Sequence, residues 1–263
     1  MKEKLLRIGK IVLLGTLVLG GLVILGFVNA SRKHARCWKF DVQIDHSDGT
    51  YFIDEADVKK KVFSLGDSLI GSAINDIDVE TIHQKVLEIP AVKSADVYKT
   101  VDGRISVSVF QCRPLARFIN ADGSGFYLDT EGGIVPLSKH FTAHVPVFTG
   151  NIYEGKGKGI HELALNSELS DKSIIDDAFR IIEYINSDSF WKAQLDHIYV
   201  NADYEFEIVP RVGNHRILIG KGEQLELQLK KMMAFYEKVL PTRGIDQYKS
   251  IDLRFKGQVV CRK

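Results

Sequence analysis

Hydrophobic and polar residues alternate along the end of the chain. From Ile251 the odd positions are Ile251, Leu253, Phe255, Gly257, Val259 and Cys261, and the even ones are Asp252, Arg254, Lys256, Gln258, Val260 and Arg262. A period of two, with Val260 as its one exception, predicts a half-buried antiparallel strand with one apolar and one charged face. Twelve residues in that form span about 40 Å at about 3.3 Å per residue. Leu253 and Phe255 would then point into a core, and Arg254, Lys256 and Gln258 outward. A strand in that place carries a row of backbone donors and acceptors that must be paired, covered or defended.

The pattern before it changes twice. "CWKFDVQID" alternates through Trp38, Phe40, Val42 and Ile44 and predicts a strand, with "HSDGT" a turn behind it. Asp54 and Asp78 are placed to cap two helices, "EADVKKKVFSL" and "VETIHQKVLEI", the second with Val79, Ile82, Val86 and Ile89 on one face and Pro90 behind it. Then "AVKSADVYKTV" and "RISVSVFQCR" alternate on either side of Asp102-Gly103, a hairpin signal. Strand, helix, helix, strand, strand describes a small sheet with two helices on one face, leaving the strand at Phe40 to Ile44 or that at Ile105 to Val109 near an edge.

After Arg113-Pro114 short strand-like pieces are punctuated by Gly, Pro and Asp: "LARFINADG", "GFYLDTEGGIVPL" and "HVPVFTGNI". Two helical patterns interrupt them. One runs through Ile174, Ile175, Ala178, Phe179, Ile182 and Ile185, the other through Leu225, Leu229, Met232, Met233, Tyr236 and Leu240. "HIYVNADYEFEIVP" and "HRILIG" between them read as a hairpin. The expected fold class is α+β, a small β-α-α-β-β unit followed by a mixed antiparallel β domain with two helices.

At the other end, Ile11 to Val28 is a run of eighteen residues without a charge, long enough for a membrane-spanning helix. The rival is a signal peptide, suggested by Lys2, Lys4, Arg7 and Lys10 and by Val28-Asn29-Ala30. The anchor is preferred, because the run exceeds a signal's apolar region and Arg32 and Lys33 would follow the cut directly. Basic residues flank both ends, so the positive-inside rule barely discriminates orientation. The bulk of the chain is expected across the membrane.

Composition narrows the chemistry. Over 263 residues, 35 Lys and Arg stand against 34 Asp and Glu, so no overall field favours nucleic acid. Cys37, Cys112 and Cys261 are too dispersed for a zinc site or a disulfide framework. "GKGKG" at Gly155 to Gly159 lacks the Lys-Ser/Thr step of a phosphate loop. Ser189-Phe190-Trp191-Lys192 fits S-x-x-K, the motif of penicillin-recognising enzymes, yet K-T-G is missing. Asp45, His46 and Asp48 next to Gly49 read as a turn rather than a metal site. No metal, cofactor, small-molecule substrate or catalytic constellation is expected. The alternative is a membrane-anchored envelope hydrolase using Ser189 and Lys192.

Three stretches carry a resemblance. "LEIPAVKSADVYKTVDGRISVSVFQCRPLARF" resembles the end of the POTRA domain of the bacterial cell-division proteins FtsQ and DivIB. "GFYLDTEGGIVPLS" with "VPVFTG" resembles the opening of their β domain, and "IDLRFKGQVVCRK" its final strand. The chain departs in having Asp102-Gly103 where many members have Pro, and Cys112 where they have an acidic residue. The resemblance implies a non-enzymatic, single-pass inner-membrane protein of the division septum, mostly periplasmic. It implies a tail at 1–10, a transmembrane helix at 11–30, a POTRA domain at 37–112 and a β domain at 113–263. Expected partners are FtsB/DivIC-like and FtsL-like coiled-coil proteins and septal cell-wall synthesis proteins. The FtsB/DivIC-like partner would add a strand at Tyr248, Arg254, Phe255, Lys256, Gly257, Gln258, Val259 and Val260.

This topology is tested by a reporter active only in the cytoplasm, fused after Lys263. It is expected to be silent, and an active fusion would reverse the orientation.

Overall fold

A computed structural model describes residues 15–21, 23, 36–64, 69–154 and 174–263. Residues 15–21 and 23, inside the apolar run, are helical and exposed, and the rest of the predicted span at 11–30 lies outside the described residues. Among the described residues no helix is long and apolar enough to cross a membrane. Gly155 to Gly159 also lies outside them. The chain divides into two compact units, residues 1–45 with 54–110, and residues 46–53 with 111–263.

The first unit contains β1 (Lys39–Ile44), α1 (Glu55–Phe63), α2 (Val79–Leu87), β2 (Val92–Lys99) and β3 (Arg104–Gln111). The order in its sheet is β1-β3-β2, with β1 parallel to β3. Of the two candidate edge strands, Phe40 to Ile44 therefore lies at an edge and Ile105 to Val109 is central. Its central place suits its composition, since Ile105, Val107 and Val109 are all buried. Asp54 and Asp57 form a reciprocal cap: Asp57 N donates to Asp54 Oδ1 at 2.9 Å and Asp54 N to Asp57 Oδ2 at 3.2 Å. Asp78 caps α2 by accepting from Glu80 N. The helices bury Val58 and Val62, and Ile82 and Val86. At the β2–β3 hairpin Gly103 has φ 86°, and a Cβ there would lie 2.9 Å from Arg36 O, so this position requires glycine.

The second unit holds β4 (Pro114–Ile119), β5 (Gly125–Asp129), β6 (Ile134–Pro136), β7 (Val147–Gly150), α3 (Ile175–Ser187), α4 (Ser189–Gln194), β8 (Leu195–Val200), β9 (Phe206–Pro210), β10 (Arg216–Gly220), α5 (Leu225–Lys238), α6 (Leu240–Arg243), β11 (Ser250–Asp252) and β12 (Val260–Arg262). They build a nine-stranded sheet of order β12-β11-β10-β9-β8-β7-β4-β5-β6. The sheet is more mixed than predicted. The pairs β4–β7, β7–β8 and β10–β11 are parallel: β5 and β6 lie between the first two strands in the chain, and the other two connections hold α3 and α5 and return the chain in the same direction. The two long helices bury Ile175, Ala178, Ile181, Ile182 and Ile185, and Leu225, Leu229, Met232 and Phe235, and two short helices join them.

One register line crosses this sheet. Phe126 faces Phe118, Phe118 faces Phe148, Phe148 faces Ile198, and the line continues through Ile208, Ile217 and Ile251 to Cys261. The Phe118 ring stacks on Phe126 at 4.9 Å and on Phe148 at 4.7 Å. Residues 46–53 join this unit through Gln111, whose Oε1 accepts from Phe52 N at 2.8 Å and whose Nε2 donates to Thr50 O at 2.9 Å. Asp48, His46 and Gly49 form the predicted turn, with Gly49 N donating to His46 O at 2.9 Å and Asp48 ion-paired to Arg113.

Phe148 is fully buried between Phe118 and Ile198. Phe148→Ala is expected to cost about 3–5 kcal/mol, read from chemical denaturation; a loss below about 1 kcal/mol would contradict the packing described.

Candidate partner-binding edge

The terminal stretch is not one long strand. Two short strands, β11 and β12, are joined by a turn and pair antiparallel, with Ser250 opposite Arg262, Ile251 opposite Cys261 and Asp252 opposite Val260. Gly257, at φ 70°, occupies the left-handed position of the turn, and Gln258 N donates to Phe255 O at 3.4 Å. The alternation survives the turn for a geometric reason. Residues opposite each other in an antiparallel pair share a face, and this register matches odd positions with odd ones. Leu253 is therefore buried and Val259 and Cys261 pack on the same core, while Val260 and Arg262 lie exposed on the other side.

The hairpin is anchored from three directions. Arg216 N donates to Lys249 O at 2.9 Å and Leu253 N to Leu218 O at 3.0 Å, which seats β11 on β10. Asp252, 6% exposed, accepts from Arg254 Nε at 2.9 Å and Nη2 at 2.6 Å, and Arg254 Nη1 reaches Glu205 at 2.6 Å. Burial pushes the Asp252 carboxyl up, but the hydrogen bonds and charge of Arg254 outweigh it and hold it below the usual carboxylate range. Lys231 on α5 donates to Leu253 O, Phe255 O and Gln258 O at 2.7, 2.8 and 3.3 Å. Burial pushes the Lys231 ammonium down from its usual value, and the Asp252 charge opposes that.

β12 pairs on one side with β11 and has no strand on the other among the described residues. Tyr248 lies before β11, half-buried, its ring 5.7 Å from Phe235. Arg254 is tied inward to Asp252 and Glu205 rather than standing free beside a visiting strand. Phe255 is 50% exposed and does not enter the core, because the chain turns there. Lys256, Gly257 and Gln258 form the exposed turn, Val259 leads into β12, and Val260 is 36% exposed on it. Glu205 and Lys231 had no local sequence signal. Asp252 and Arg254 are two apart in an alternating run, a spacing that already places them on one face.

Ser189 and Lys192, the pair behind the hydrolase alternative, are both exposed on α4, and among the described residues no hydrogen bond joins them. Lys192 lines a cavity of about 750 Å³ with Arg113, His144, Asp196 and Arg211, whereas Ser189 is absent from its lining. The turn of Asp188 onto Phe190 N and Trp191 N, and the burial of Trp191, explain these residues structurally.

The chain thus joins a β-α-α-β-β unit to a large mixed sheet with a hairpin at its edge. Residues 35–110 match the POTRA-like domain family and residues 113–262 match the family described as FtsQ/DivIB, C-terminal related. The chain belongs to the FtsQ/DivIB family. It is similar to the cell division protein FtsQ of Rhodothermus marinus, 26% identical over 200 residues that cover 73% of this chain and 68% of that protein. It is a cell-division protein.

The Asp252 charge sets a pH test. A depressed carboxyl contributes stability that is present above its unfolded pKa of about 3.9 and lost as pH falls through its lower folded value. Asp252→Asn is therefore expected to cost about 2 kcal/mol at pH 7, a gap that closes as pH falls below about 4. Thermal melts of both proteins between pH 7 and pH 3 measure it, and a gap that stays constant would contradict the pairing.

Proposed function

We propose that this division protein is a non-enzymatic scaffold that receives a strand of an FtsB/DivIC-like partner along β12. In this reading a tail at 1–10 and a transmembrane helix at 11–30 hold it in the inner membrane at the septum. A POTRA domain at 37–112 and a β domain at 113–263 lie on the periplasmic side. The POTRA part serves recruitment, with FtsL-like and septal cell-wall synthesis proteins among the partners.

The observation that carries the reading is the outermost place of β12 in the nine-stranded sheet. An added strand gains affinity from backbone hydrogen bonds and selectivity from alternate side chains. Lys249, Lys256, Arg262 and Lys263 are exposed around the hairpin, which suits a partner segment carrying acidic residues. The same charges oppose pairing of two copies of this chain edge to edge.

The test uses the full chain in detergent and the FtsB/DivIC-like protein of the same organism. Cys261→Pro is expected to abolish binding, since the backbone of Cys261 faces away from β11 and proline removes that outward donor and stiffens the edge, and Lys256→Glu to weaken it several-fold. Circular dichroism and melting confirm that each variant is folded. Full affinity in a folded Cys261→Pro protein would remove the strand-addition reading.

A further inference from the structure

One side chain of α5 leaves its helix and ends among backbone oxygens of the hairpin. The three acceptors of Lys231 are spread along the connection: Leu253 O where the β11 arm ends, Phe255 O in the turn, and Gln258 O where the β12 arm begins. An ammonium carries three donors and no acceptor. Three carbonyls therefore use all of its hydrogen-bonding capacity, and one group of a buried-face helix holds both arms and the bend between them.

The hairpin has little else to hold its outer arm. β12 pairs with β11 through only three residue pairs. Val259 and Cys261 are half-buried, and Val260 and Arg262 are exposed, so the apolar area that β12 removes from water is small. The Asp252–Arg254–Glu205 group acts on the β11 side of the turn, before the bend. Backbone bonds also hold β12, Lys249 N donating to Arg262 O at 2.8 Å, but of the anchoring side chains Lys231 is the one that reaches the start of the β12 arm.

We propose that Lys231 is the positioning residue of the docking edge: it fixes the bend so that β12 stays in register on β11 with its outer side available. The proposal rests on the reading of β12 as the docking strand. Lys231→Met keeps an unbranched stem and a good helix former but removes every donor.

The first readout needs no partner. Cys37 and Cys112 are buried, and Cys261 is the half-buried thiol on β12. In the full chain Lys231→Met is expected to speed maleimide labelling of Cys261 by roughly tenfold, because detachment of β12 is a local opening. The melting temperature should move by no more than about 4 °C. Binding of the FtsB/DivIC-like protein should fall by about tenfold. The second readout is rescue. Ser250 and Arg262 face each other, so Ser250→Cys with Arg262→Cys, in a Cys261→Ser and Lys231→Met background, staples the hairpin when oxidised. Restored binding supports positioning. A formed staple that leaves binding weak would make Lys231 a partner contact and overturn the proposal, as would parental Cys261 labelling in Lys231→Met. A folded Cys261→Pro protein that still binds would instead sink the docking reading, while the labelling result would still judge the role of Lys231.

Discussion

The second unit depends on a register line of apolar side chains that runs from Phe126 through Phe118, Phe148, Ile198, Ile208 and Ile217 to Ile251 and Cys261. Side chains alternate faces along a strand, so a slip of one residue at any pairing would move that strand's whole apolar set to the opposite face. Each inner strand is thereby constrained by its two neighbours, and the stacked Phe126–Phe118–Phe148 rings add shape to that constraint. The residues of the line are fully or almost fully buried until the last, Cys261, which is only half-buried. The sheet thus ends with its pattern intact and its final side chain partly uncovered. The register of the β12 edge is thereby determined by every strand behind it.

The edge itself is made from polar interactions rather than apolar area. Asp252 and Arg254 neutralise each other at the end of β11, Glu205 takes the remaining side of the guanidinium, and Lys231 collects the carbonyls of the bend. Such groups are directional, so they define the path of a turn that contributes few buried side chains. A short strand with exposed cations is also a poor template for a second copy of the same chain. On the proposed reading these features meet two demands: β12 must be ordered enough to receive a partner and guarded against copies of itself.

The sequence was legible where a period maps onto one structure. The capped helices at Asp54 and Asp78, the Asp102-Gly103 hairpin and the long helices through Ile182 and Leu229 all follow from local rules of capping, turn chemistry and spacing. The pattern leaves open which of the strands at Phe40 and Ile105 lies at an edge, and the order β1-β3-β2 decides for the first, because strand order is a matter of tertiary pairing and not of pattern. The terminal alternation predicts one strand for a specific reason. A hairpin whose register pairs odd with odd positions continues the same alternation through its turn, and only Gly257 marked the bend. Lys231 and Glu205 were invisible at that level, since each reaches the hairpin from a distant element: 22 residues separate Lys231 from Leu253 and 49 separate Glu205 from Arg254.

The central claim is that the outer side of β12 is a docking edge. Amide hydrogen exchange of the full chain, alone and saturated with the FtsB/DivIC-like protein of the same organism, tests it most directly, because backbone pairing is what strand addition creates. The account predicts slowed exchange within residues 259–262 on binding. Slowed exchange elsewhere, with those amides unchanged in a saturated complex, would contradict it.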